Sequence, residues 1–295
     1  MGRDLIEGSA AARRLFETAE QVLGYSVAKL CLEGPEELLQ DTQHAQPALF
    51  TMSLACLEAA REQGGLAGIE PAFVAGHSLG EYTALVAAEA VAFEDGLRLV
   101  QERGRLMHEA AERRPGAMAA LLGLDEATVR AICSEAGAEV CNLNAPGQVV
   151  IGGPAAAVDS AMTMAMERGA QRGIRLKVSG AFHTSAMQPA LGDMARAVAA
   201  TPFRDPRVPV IANTTAEPID SAGQLREELV QQLAQPVYWQ RSVEYMRSQG
   251  IGLFIEFGPG RVLSGLIRRI DRAAAVSNVS DLATARKISA APAPP

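Results

Sequence analysis

The sequence predicts an α/β protein: a core built on a parallel sheet, interrupted by a smaller α+β unit. Three observations point there. A short apolar stretch, Ala72 to Ala75, meets Gly76 and then a helical pattern, which reads as strand, sharp turn, helix. From Arg114-Pro115-Gly116 onward the pattern changes to strand, helix, two short strands, helix, strand. After that unit, helices and apolar strands alternate again, ending in LFIEFGPG and RVLSGLIRRI.

Taken in order, MGRDLIEGSAAARRLFETAEQVLG has the spacing of one amphipathic helix with acids throughout. A signal peptide would show a basic start and an unbroken apolar stretch instead. Pro47 to Glu62 reads as a buried helix with its proline in the first turn. The strand-turn-helix around Gly76 follows, and then a helix over Ala92 to Glu112. Next come the strand MAALLGL, a helix capped by Asp125, two strands around Asn144-Ala145-Pro146-Gly147, the helix PAAAVDSAMTMAMERG and the strand GIRLKVS. That β-α-β-β-α-β order is ferredoxin-like. A helix over Ala186 to Thr201, the strand VPVIAN and a helix carrying EELVQQL return to the core. The expected division is a core of residues 1–114 and 179–280, a small subdomain at 115–178, and a disordered tail, 281–295, ending in KISAAPAPP.

Composition narrows the function. Apolar residues make up 48% and charged ones 21%, the balance of a soluble globular protein. No apolar run is long enough for a bilayer, so no membrane role is expected. A net charge of −7 argues against nucleic acid as a partner. Cys31, Cys56, Cys133 and Cys141 are scattered, as befits reduced, buried thiols of a cytoplasmic protein. The four histidines show no paired spacing, so no metal site is expected.

Gly76-His77-Ser78-Leu79-Gly80 fits G-x-S-x-G, the nucleophile elbow of hydrolase-like α/β cores. The serine sits on a strained turn, so the residues two before and two after it are expected to be small. The helix behind it aims its N-terminus at the serine, and the N–H of Leu79 is the natural oxyanion donor. The bland alternative is a structural strand-to-helix turn. A nucleophilic serine needs a histidine. His77 is adjacent and cannot easily turn back, and His44 and His108 lie on helices or their approach. His183, in Val178-Ser179-Gly180-Ala181-Phe182-His183-Thr184, sits where the inserted unit ends. The residues alone leave it open between base and structural histidine.

GHSLGEY, NAPGQVVI, VSGAFH and EFGPGRVL, in that order, resemble the malonyl-CoA:acyl-carrier-protein transacylases of fatty-acid and polyketide synthesis. The resemblance runs from residue 1 to about residue 275. It implies that Ser78 is acylated and that His183 is its base. It gives Arg103, in Gln101-Glu102-Arg103-Gly104, the malonyl carboxylate, which a planar guanidinium can hold with two bonds. Arg98 and Arg105 are expected to be solvated. Gln232 is implied to orient His183 through a carbonyl or amide. Gln46 is implied to face the substrate, or else to be a helix-start residue without substrate contact. Asn144 is implied to lie near the acyl group, or else to form a hairpin turn.

The implied activity is malonyl transfer from malonyl-CoA to an acyl carrier protein, by a ping-pong route with no cofactor. Members open on a strand and a F-P-G-Q-G-S turn that supplies a second oxyanion donor. Met1-Gly2-Arg3-Asp4 resembles the stretch just after that turn, so the resemblance implies that the turn is not among these 295 residues. An acyl hydrolase of the same fold and a non-catalytic docking subunit remain as alternatives. An α/β-hydrolase esterase fits less well, because its histidine comes late in the chain and none follows His183. Arg172, Arg175 and Lys177, with Arg113 and Arg114, are the basic candidates for docking an acidic carrier.

Overall fold

The computed structural model describes residues 1–288. Two small parallel ladders lie in the core. β1 (Val74–Ala75) pairs in parallel with β6 (Val210–Ile211), which also takes the antiparallel β7 (Pro218–Ile219). β8 (Leu253–Phe257) pairs in parallel with β9 (Ala275–Val279). The expected strand at 72–75 is thus only two residues long in the ladder. Helices wrap these strands, and a continuous apolar core runs from Leu5 and Phe16 through Phe50, Leu54, Leu85 and Leu97 to Met187 and Leu229.

The inserted unit is a four-stranded antiparallel sheet in the order β3-β4-β2-β5: Glu139–Ala145, Gln148–Gly153, Ala117–Leu122 and Arg172–Arg175. Helices Glu126–Ala136 and Ala155–Glu167 close over a separate core that includes Ile132, Ile151 and Val158. Asp125 caps the first of them, its carboxylate accepting from Thr128 N at 2.8 Å. The β3 edge is sewn to the main core: Leu143 N–H donates to Val237 O and Val237 N–H to Cys141 O, at 2.9 and 2.8 Å.

Further expected elements differ in their bounds. The N-terminal pattern is two helices, Arg3–Gly8 and Ala10–Leu23. Ser9 breaks it, because its hydroxyl caps Ala12 N at 3.1 Å and donates to Glu62 at 2.5 Å. The helix expected from Pro47 begins at Thr42, capped by Asp41, so Pro47 lies in its second turn. The tail expected to be disordered over 281–295 starts with a helix, Leu282–Lys287. Its Asp281–Thr284 capping box and its bond from Leu282 N to Asp4 at 2.7 Å hold it in place, with Ala285 buried. Residues 289–295 lie outside the described ones.

One close crossing matters for the site. The helix Phe93–Arg113 crosses the start of Thr42–Glu62 at Gly104, where a Cβ would lie 2.9 Å from Gln43 Cα. A larger residue would push the helices apart. Gly104 therefore lets its neighbour Arg103 reach Gln46, one turn along the partner helix.

Candidate active site

Ser78 stands where β1 gives way to the helix Leu79–Ala87, with φ 53° and ψ −108°. Such left-handed backbone is costly for a residue with a side chain and persists where its surroundings hold it. Gly76 permits it: a Cβ there would overlap the Gly80 carbonyl and lie 2.6 Å from Glu81 N. A Cβ on Gly80 would meet nothing within 4 Å. The expectation that both flanking residues must be small is thus corrected at Gly80, whose own side-chain space is open. Asn213, just after β6, pins the turn from below. Its Oδ1 accepts from Ser78 N and its Nδ2 donates to Gly76 O, both at 2.7 Å. Leu79 is the first residue of the helix, where geometry leaves the N–H without an intrahelical acceptor.

His183 is buried, with a φ of 60°, in the loop that follows the small unit. Its Nε2 lies 2.7 Å from Ser78 Oγ, and its Nδ1 lies 2.8 Å from the main-chain carbonyl of Gln232. A carbonyl only accepts, so the proton belongs on Nδ1 and the Nε2 lone pair faces the serine hydroxyl. Burial, and then the neighbouring Arg103 cation, pull the imidazole down from 6.5 to about 3.

Arg103 is only 1% exposed. Its Nη2 donates to Ser78 Oγ at 3.0 Å and to Gln232 Oε1 at 2.8 Å; its Nη1 donates to Gln46 Oε1 at 2.6 Å. The guanidinium carbon lies 5.0 Å from the centre of the Tyr82 ring, a cation–π contact. Its Nε has no partner, and no Asp or Glu forms an ion pair with it among the described residues. Arg98 and Arg105 instead pair with Asp95, Glu102 and Glu109 at the surface.

Gln46 is buried, its amide donating to Thr42 Oγ1 at 2.8 Å as well as accepting from Arg103. Asn144 lies on β3, and its Oδ1 is 2.8 Å from His77 Nε2. It therefore meets the residue before the serine and makes no hydrogen bond to Ser78, His183 or Arg103. A cleft of about 450 Å3 between the small unit and the core reaches His183, lined also by Arg130, Glu139, Ser185, Gln235 and Tyr238.

Sequence reasoning missed three contributors: Asn213, Tyr82 and Glu81. Glu81 is 1% exposed, and burial, then Glu228, push its carboxyl well above the usual range. Gln232, Asn213 N–H and Arg103 oppose that shift. The signal was an acid inside the apolar run LGEYTALVAA, since a charge in such a helix is buried only when hydrogen-bonded.

A serine hydroxyl held between an imidazole lone pair and a guanidinium N–H, at the positive end of a helix, is equipped to attack an acyl carbon. The fold and this arrangement define an acyl-group enzyme. Residues 1–287 match the model of the acyl transferase domain, and the chain belongs to that family. It is 42% identical over 286 residues to the malonyl CoA-acyl carrier protein transacylase of Bacillus subtilis, covering 95% of this chain and 89% of that protein. Among solved structures, the malonyl CoA-acyl carrier protein transacylase of Coxiella burnetii superposes with a TM-score of 0.93 at 38% identity, over 97% of this chain and 90% of that one. A malonyl-transacylase in complex with a type II PKS acyl-carrier protein gives the same score and identity, over 98% and 94%.

Proposed function

We propose that this chain transfers malonyl from malonyl-CoA to the phosphopantetheine thiol of an acyl carrier protein, through a malonyl ester on Ser78. The observation that carries the reading is Arg103: a buried cation without an ion-pair partner, 3.0 Å from the serine oxygen. A buried unpaired charge is costly, and a substrate carboxylate beside the serine offsets that cost. Malonyl carries such a group and an acetyl or simple fatty-acyl chain does not. That favours malonyl transfer over a simple acyl hydrolase, and an equipped serine favours catalysis over docking alone.

In the first half-reaction His183 Nε2 takes the Ser78 proton as Oγ attacks the thioester carbon. The carbonyl oxygen becomes an oxyanion, met by the N–H of Leu79. The C–S bond then breaks, His183 returns the proton to the leaving sulfur, and free coenzyme A departs. Gln232 holds His183 in the required tautomer through its main-chain carbonyl, and Arg103, steadied by Gln46, holds the malonyl carboxylate. In the second half-reaction the carrier thiol gives its proton to His183 and attacks the ester, and Ser78 Oγ leaves and is reprotonated. Asn144 serves the site indirectly, by fixing His77.

The reading also assigns the chain to a core of residues 1–114 and 179–280 with the 115–178 unit closing over the cleft, and to the cytoplasm. No helix among the described residues is long and apolar enough to cross a membrane. Incubation with radiolabelled malonyl-CoA tests the function. Label is expected first on the protein and then on added carrier; release of free malonate alone would favour the hydrolase, and no label would favour a docking subunit.

A further inference from the structure

The carboxyl of Glu81 sits one helical turn beyond the nucleophile and touches neither Ser78 Oγ nor His183. Its Oε1 accepts from Asn213 N at 3.1 Å, and its Oε2 accepts from Gln232 Nε2. Those two partners are the ones that shape the site. Asn213 holds the backbone on both sides of the elbow. Gln232 donates from the same Nε2 to Ser78 O at 2.9 Å and presents its Oε1 to Arg103.

A glutamine amide is nearly symmetric in shape but not in chemistry. One end accepts and the other donates. Gln232 must turn Oε1 toward Arg103, which only donates, so Nε2 must point the other way. Two acceptors wait there, Ser78 O and Glu81 Oε2. We propose that Glu81 is a positioning residue that locks the Gln232 amide in this orientation, and so holds Arg103 where it selects a carboxylated acyl group. This rests on the reading of Arg103 as the malonyl clamp.

The second buried acid supports the assignment. Glu228 accepts from the residue next to Asn213, from Thr214 N at 2.9 Å and from Thr214 Oγ1 at 2.5 Å. The segment that carries Asn213 is thus held by two carboxyl groups, and of the two only Glu81 also reaches Gln232. Both Glu81 oxygens face donors, which an amide in its place cannot satisfy. Glu81→Gln would set an N–H against either Asn213 N–H or Gln232 Nε2, and the latter clash is relieved by turning Gln232 so that its own N–H faces Arg103.

The test compares kcat and KM for malonyl-CoA and acetyl-CoA in the wild type, Glu81→Gln and Arg103→Ala, with thermal melts on each. Glu81→Gln should lower the malonyl-to-acetyl ratio of kcat/KM by about tenfold, chiefly through the malonyl KM, the order expected when a charged hydrogen-bond partner loses its alignment. A residue that only supports the fold would slow both substrates alike. An unchanged ratio in Glu81→Gln beside a collapsed ratio in Arg103→Ala would overturn the role of Glu81. An unchanged ratio in both would overturn the clamp itself, and with it this inference. Should Glu81→Gln fail to fold, Glu81→Met, which removes the acceptor facing Gln232 Nε2 without adding a donor, takes its place; a smaller fall in the ratio is expected there, and an unchanged ratio would overturn the role of Glu81.

Discussion

Arg103 Nη2 and Ser78 Oγ stand 3.0 Å apart, with the same nitrogen also bonded to Gln232. The hydroxyl therefore has two different neighbours: it accepts from a cation and donates to His183 at 2.7 Å. In its proposed clamp role, Arg103 would bring an arriving substrate carboxylate to the serine by the same contact, tying selection to reactivity.

Replacing that arginine should invert the substrate preference. Arg103→Ala is expected to cut kcat/KM for malonyl-CoA by about two orders of magnitude while acetyl-CoA loses less, because a charge-matching site rejects the wrong group mainly by leaving its own charge unpaired. Steady-state kinetics on both thioesters reads this directly.

The pH profile should lack the usual histidine limb. In the proposed role His183 acts as a base when neutral, and burial depresses its pKa from 6.5 to about 3. It stays neutral as pH falls through the ordinary histidine range, so the rate of Ser78 acylation should be flat from about pH 8 to about pH 5. Protonation, and loss of rate, begins only as pH approaches the folded value. Removing the nearby cation in Arg103→Met should raise the His183 pKa and bring the acid limb to higher pH. A wild-type limb near 6.5 would show an imidazole open to water.

Asn213→Ala should weaken the fold as well as the rate. It leaves Ser78 N and Gly76 O without their partners in a strained turn, at an expected cost of about 1–3 kcal/mol. Urea unfolding measures that loss.

The carrier should dock apart from the acyl site. Arg172 and Arg175 lie on β5, an edge of the small sheet, and Arg175 pairs with Asp159 while both remain exposed. Reversing both to glutamate should raise KM for an acidic carrier and leave acylation of Ser78 by malonyl-CoA nearly unchanged. Rapid quench separates the two half-reactions; equal losses in both would place docking elsewhere.

Much of this was legible in the sequence because it is local. The elbow is written in five consecutive residues, and the small unit in the alternation of its strands and helices. The His183 loop stood out as a junction, but its distance to Ser78 depends on how the 115–178 unit packs, which no local pattern encodes. Asn213 and Glu81 were harder still. An asparagine after a short strand and an acid in an apolar helix are common, and they acquire meaning only when β1 and β6 pair side by side. The helix boundaries slipped at Ser9, Asp41 and Asp281 for one reason: each side chain bonds a backbone N–H two or three residues on, and capping overrides apolar periodicity.

The central claim is that Ser78 carries malonyl, and intact-protein and peptide mass spectrometry after a short incubation with malonyl-CoA tests it most directly. A single added malonyl on the peptide containing Ser78, removed by carrier protein and absent from Ser78→Ala, is the expected result. Malonyl on another residue, or persisting in Ser78→Ala, would contradict it.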